Sequence, residues 1–148
     1  MNADFVSEWL SGYGRIWYEK EHMSKFYVED LDFRDMGTGL SCDSFQGLLD
    51  MKELWVPPGS EQQVALRRYV SGGETAGAAE WTWTARWATD FMGLPAAGKT
   101  TVVPGVSMLQ FRDGKISVEH DYWSLGTLLT QLGVLPGLPG APSVATPQ

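Results

Sequence analysis

The chain has 148 residues, 43% hydrophobic and 20% charged, which suits one domain with a single core. Its net charge of −7 argues against the basic face of a nucleic-acid binder and offers no attraction to an anionic membrane. No apolar run approaches the roughly 20 residues of a membrane span, and Met1-Asn2-Ala3-Asp4-Phe5 lacks both the basic and the apolar part of a signal peptide, so a cytoplasmic location is expected.

The first element is a helix over residues 4–20. Phe5, Trp9, Tyr13, Ile16 and Trp17 recur at three- and four-residue steps and share one stripe. Asp4 is the candidate cap. A short second helix spans 22–27. Leu31-Asp32-Phe33-Arg34-Asp35 then reads as a strand with Leu31, Phe33 and Asp35 on one face. Met36-Gly37-Thr38-Gly39 breaks it. Ser41, Cys42 and Asp43 are placed to start the next helix, 44–55, whose apolar set is Phe45, Leu48, Leu49, Leu54 and Trp55. Pro57-Pro58-Gly59 ends that helix. Cys42 is the one cysteine, so no intramolecular disulfide can form, and it reads as a buried or capping residue.

From Gln62 to Trp87 the pattern is β, with a turn at Ser71-Gly72-Gly73. Trp81, Trp83, Ala85 and Trp87 fall on one face; Glu80, Thr82, Thr84 and Arg86 fall on the other. Residues 93–98 form a loop. Two more strands follow, 103–111 and 116–123, joined by Arg112-Asp113-Gly114-Lys115, where Asp-Gly marks a tight hairpin. Residues 125–132 close the fold as a short helix. The predicted domain is 1–133, and the Pro/Gly-rich stretch 134–148 is expected to be a mobile tail.

Helices first and a meander after them predict an α+β fold. The expected shape is a cone-shaped barrel, a strongly curved, mostly antiparallel sheet wrapped over the N-terminal helices. Its interior would be apolar with a few polar groups, as small-molecule sites usually are.

Asp121 stands in His120-Asp121-Tyr122-Trp123 and shares its face with Trp123. A carboxylate among aromatics is desolvated, which raises its pKa and suits it to general acid or base work. Asp35 is a second candidate, although an Asx-type bond to the Met36-Gly37-Thr38 backbone would also explain it. Two carboxyls facing one pocket would split their pKa values. His120 lies on the opposite face from Asp121. With His22 far away in sequence and no ligand spacing, no metal is expected, and Lys99 sits in no phosphate-loop pattern.

These runs together resemble one family. Gly93-Leu94-Pro95-Ala96-Ala97-Gly98-Lys99, Val103-Pro104-Gly105-Val106-Ser107, Phe111-Arg112-Asp113-Gly114-Lys115-Ile116 and Asp121-Tyr122-Trp123 look like the SnoaL-like proteins, named for a polyketide cyclase. Phe26-Tyr27-Val28-Glu29-Asp30 and Phe33-Arg34-Asp35 resemble that family's first strand. The resemblance covers roughly residues 4–133. It implies the cone fold shared with ketosteroid isomerase, scytalone dehydratase and the nuclear transport factor. It also implies catalytic roles for Asp121 and Asp35, a pocket aromatic at Trp123, and Ser107 where isomerases keep a protonated acid. The family often carries His near the position of Trp87, which is absent here. An Arg/Asp pair for epoxide opening is not formed by Arg86 and Asp90, so epoxide opening and dehydration rank low.

Three readings follow. The first is a cofactor-independent cyclase or isomerase acting on a small hydrophobic carbonyl or polycyclic molecule. Asp121 and Asp35 would shuttle protons, and Tyr13, Trp17, Phe33, Trp55, Trp83, Ser107 and Trp123 would bind the substrate. The second is a non-catalytic binding domain of the same fold. The third, compatible with either, is a homodimer made through an outward Trp81, Trp83 and Trp87 face.

Overall fold

The computed structural model describes residues 2–13 and 20–140. Helix α1 (Ala3–Ser11) is capped by Asn2, whose side chain accepts from the Phe5 amide at 3.1 Å. The cap is thus two residues earlier than Asp4, which instead sits in the first turn, where its charge favours the helix dipole. The helix ends at Ser11, so the long stripe predicted to residue 20 is not one continuous element. Ile16 and Trp17 lie outside the described residues.

Helix α2 (Lys20–Phe26) runs directly into β1 (Tyr27–Asp35). Ser41 and Cys42 do not start a helix; they form β2 (Ser41–Cys42), pairing with Arg34 and Phe33. Ser44 is the cap, and its hydroxyl accepts from the Gly47 amide at the head of α3 (Phe45–Trp55). Four long strands follow: β3 (Glu61–Ser71), β4 (Ala76–Arg86), β5 (Thr100–Arg112) and β6 (Lys115–Trp123). The β5–β6 turn has positive φ at Asp113 (54°) and Gly114 (72°), the mirror-image turn that suits the twist of a hairpin.

The strands make one curved, unclosed sheet in the order β2-β1-β6-β5-β4-β3. All pairings are antiparallel except β1 with β6, which is parallel. That parallel pair brings the early and late segments of the chain side by side. Helix α4 (Leu125–Gln131), capped by Ser124, is fastened to the start of β5. Gln131 exchanges two 2.7 Å bonds with the Val102 backbone, and Lys99 Nζ donates to the Leu132 carbonyl at 2.6 Å. Residues 134–140 are exposed, and the rest of the expected tail, 141–148, lies outside the described residues.

The core fills the concave side of the sheet. Trp9, Leu10, Leu31, Phe33, Leu48, Trp55, Trp81, Trp83, Trp87 and Phe91 are all buried in it. This corrects the outward Trp face expected above. Trp81, Trp83 and Trp87 point inward, where Trp55 of α3 packs on Trp83 and Phe91 on Trp87, and Arg86 stands exposed on the outer face. Alternation separates two faces but does not say which one the helices cover. The tryptophans therefore supply interior packing, each burying a large apolar area, and do not offer a surface for a second subunit.

Candidate active site

Register places the polar groups of the interior. Ser107 of β5 is opposite Asp121 of β6, and Asp121 is opposite Asp35 of β1. These residues form one row across three strands on the concave face. The next row holds Leu109, Glu119 and Phe33. Three acids, Asp35, Glu119 and Asp121, are thereby gathered at 2%, 1% and 6% exposure. Like charges directly opposite one another in a sheet are unfavourable, so their neighbours matter.

Each acid has its own donors, and a tryptophan stands behind each. Trp123 Nε1 donates to Asp35 Oδ1 at 2.5 Å. Thr38 Oγ1 donates to Asp35 Oδ2 at 2.5 Å and the Gly37 amide to Oδ1 at 3.1 Å, so the Asx-type turn is present as well. Trp81 Nε1 donates to Ser107 Oγ at 2.8 Å, and Ser107 donates onward to Asp121 Oδ1 at 2.6 Å. Trp9 Nε1 donates to the Tyr27 hydroxyl at 2.9 Å, and Tyr27 donates to Glu119 Oε1 at 2.7 Å. Short relays of this kind polarise along their length and hold each carboxyl in a set orientation. Glu119 Oε2 is buried with no donor among the described residues.

Burial dominates the electrostatics. Desolvation raises the Asp35 carboxyl above its usual range, against its hydrogen bonds from Thr38, Trp123 and Gly37. Asp121 is pushed from 3.8 to about 6, chiefly by burial, with its bonds to Glu119 and Ser107 holding it down. Glu119 lies well above its ordinary value through burial and the neighbouring Asp121 charge. The Tyr13 and Tyr27 phenols are raised well above theirs, first by burial and then by these acids. An acid kept neutral beside one that ionises near neutrality is an arrangement suited to moving protons.

The acids line a cavity with Trp9, Tyr13, Phe33, Trp55, Gln62, Trp81, Trp83, Ser107 and Trp123. Its volume is about 30 Å³, roughly the share of one water molecule. The aromatic rings account for the small size: Trp55, Trp83 and Trp123 meet edge to face with centroids 5.6 to 5.7 Å apart. Of the cavity tryptophans, Trp9, Trp81, Trp83 and Trp123 have acceptors for their indole N–H groups, and Trp55 Nε1 has none among the described residues.

The site residues read from the sequence thus come together. Asp121, Asp35, Tyr13, Phe33, Trp55, Trp83, Ser107 and Trp123 all border this one cavity; Trp17 lies outside the described residues. The Ser107 hydroxyl proton is committed to Asp121. His120 faces outward, 3.3 Å from Asp32 on the convex side. Sequence reasoning missed Glu119, Tyr27 and Gln62. Glu119 carried a signal, since it shares the two-residue period of Asp121 and Trp123. Tyr27 sits at a helix-to-strand junction, where periodicity changes and gives no face.

Against this geometry the comparisons with known proteins are informative. The family model for SnoaL-like polyketide cyclases matches residues 16–132. The chain belongs to the SnoaL-like polyketide cyclase family. Solved structures share its fold. A hypothetical protein from Catenulispora acidiphila with a ketosteroid isomerase-like fold, solved with trimethylamine, is 18% identical with a TM-score of 0.68, covering 91% of this chain and 96% of its own. IdmH of Streptomyces antibioticus, a candidate polyketide cyclase, is 20% identical with a TM-score of 0.70, covering 89% and 98%. A candidate polyketide cyclase of Xanthomonas campestris pv. campestris is 25% identical with a TM-score of 0.70, covering 87% and 94%. No curated protein matches the chain. Within this SnoaL-like chain no helix among the described residues is long and apolar enough to cross a membrane.

Proposed function

We propose that this SnoaL-like protein is a cofactor-independent acid/base enzyme of the cyclisation or isomerisation type. Its substrate is a small hydrophobic molecule that bears a carbonyl group. The observation that carries this reading is the convergence of Asp35, Glu119 and Asp121 on one aromatic-lined cavity, with Asp121 raised to about 6. Ionised Asp121 removes a proton alpha to the carbonyl. The C–H electron pair becomes a C=C bond while the carbonyl π pair moves to oxygen. Trp55 Nε1, a buried donor with no acceptor among the described residues, suits that developing oxyanion. A protonated Asp35 gives its own proton to the new carbon as the enolate collapses to the carbonyl, and the proton held by Asp121 then passes to Asp35, which restores both carboxyls. Ser107 supports the reaction by orienting Asp121.

A ligand of drug-like size needs roughly 300 Å³ or more, against the cavity's 30 Å³. Substrate entry therefore displaces aromatic side chains, with the Trp55–Trp83–Trp123 cluster the part that yields. The same filled interior favours the second reading, a binding domain that opens around one ligand without turning it over. The chain further acts as a homodimer in this proposal, through the convex face of the sheet.

Asp121→Asn tests the assignment. It preserves shape and the acceptor for Ser107 but removes the titration. Against a panel of bicyclic and tricyclic ketones, binding is read by quenching of tryptophan fluorescence and turnover by product analysis. The variant should bind as the wild type does, with turnover reduced by about a hundredfold or more. Ligand binding by both proteins with no turnover by either establishes the binding domain instead.

A further inference from the structure

We infer that Glu119 and Asp121 hold one proton between them, with Glu119 the member that keeps it and Tyr27 the group that decides which Glu119 oxygen carries it. This rests on the reading of Asp121 as the ionising acid and adds a positioning residue to it.

The geometry leaves few alternatives for the proton. Glu119 and Asp121 are two residues apart on β6 and face the same side. Both are buried. Glu119 Oε1 is occupied by the Tyr27 hydroxyl, itself held by Trp9 Nε1. Asp121 Oδ1 is occupied by Ser107. Glu119 Oε2 has no donor among the described residues, and Asp121 stands two residues along the same buried face of β6. Two ionised carboxylates have no hydrogen to share, and a bare buried carboxylate oxygen is costly. A proton on Glu119 Oε2, donated toward Asp121, satisfies both groups at once.

The surroundings assign the proton to Glu119. Tyr27 at the start of β1 and Tyr13 just beyond α1 face it, and burial keeps both phenols neutral. Asp35 across β1 and Cys42 on β2 add negative charge or none. On the convex side, His120 lowers Asp121 rather than Glu119. The pair therefore contains an acid that stays protonated and a carboxylate stabilised by its bond. Glu119 acts through Asp121: it keeps Asp121 ionised nearer neutrality than burial alone would allow. Such a pair titrates in two macroscopic steps that belong to both residues.

The test is carboxyl-carbon NMR on protein labelled with ¹³C at Glu Cδ and Asp Cγ, titrated without any ligand. In the wild type the midpoint of the Glu119 Cδ signal should lie clearly above the ~4.3 of a free glutamate. Asp121→Asn removes the neighbouring charge and offers an amide donor to Oε2, so the Glu119 midpoint should fall by about one pH unit or more. Tyr27→Phe removes the donor to Oε1 and should raise it. A wild-type Glu119 midpoint near that of free glutamate overturns the proposal, as does a midpoint unmoved by Asp121→Asn. The wild-type titration alone is decisive if either variant fails to fold. Because no substrate enters the measurement, the proton pair and the catalytic reading can fail separately.

Discussion

Asp121 carries a stability cost as well as a chemical role. Its carboxyl moves from 3.8 to about 6 on folding. Between those values the native chain binds more protons than the unfolded chain, so stability falls as pH rises through that window. The contribution is fully lost above about pH 6 and fully restored below about pH 4. Asp35 and Glu119, also raised, act in the same direction. Asp121→Asn should therefore be more stable than wild type at pH 8 by about 1–3 kcal/mol. The two should converge near pH 4. Urea unfolding at both pH values checks this, and identical pH dependence would mean that Asp121 titrates as an exposed carboxylate does. At this scale the sequence was readable in part. A two-residue period near Trp123 points to Asp121, and the same period reaches Glu119, although an acid in a strand is ordinarily solvated. The partners that tune these acids, Trp81 through Ser107 and Trp9 through Tyr27, are separated from one another by 26 and 18 positions. Only the fold brings them together.

The elements depend on one junction between the early and late parts of the chain. The turn after β1 brings the Met36 amide to the Asp121 carbonyl at 2.8 Å, and Trp123 reaches back to Asp35. Gly37 makes this possible, because a Cβ there would lie 2.3 Å from Trp123 Cε2. Gly37→Ala should push the indole off Asp35 and destabilise the protein by about 1–3 kcal/mol, as overpacking does. The Asp35 carboxyl should also rise further once it loses a donor. Urea unfolding with unchanged midpoint and slope would show that Trp123 moves aside without cost. Much of this level was legible. Helix and strand types, the Asp113-Gly114 hairpin and the polar Asp35 face follow from local pattern. The parallel β1–β6 pairing does not, because it joins segments about 90 residues apart and no local period encodes a neighbour. The short strand at Ser41–Cys42 exists only because β1 offers it an edge.

At the scale of the molecule the question is what covers the convex face of the sheet. Trp81, Trp83 and Trp87 are interior, so a dimer contact must use other residues of the sheet. Val70, Met108 and Tyr122 stand on the outer face at 54%, 49% and 46% exposure. Register sets them close together: Val70 is opposite Ala78, Ala78 opposite Met108, and Met108 opposite His120, with Tyr122 two residues farther along β6. Met108, Val106 and Tyr122 form an apolar strip, and the Arg68–Glu80 ion pair lies beside it at 3.2 Å. An apolar centre with a charged margin is the composition of a protein interface, and a face that meets its own copy does so about a twofold axis. Sedimentation at micromolar concentration should therefore find a species of twice 16.4 kDa. Met108→Glu places a charge at the centre of the strip, where two copies would bring like charges together. It should return the protein to monomer while leaving the cavity on the opposite face intact, so that ligand-induced fluorescence quenching persists. A wild-type protein that sediments only at 16.4 kDa would leave the convex face to solvent and end the dimer proposal.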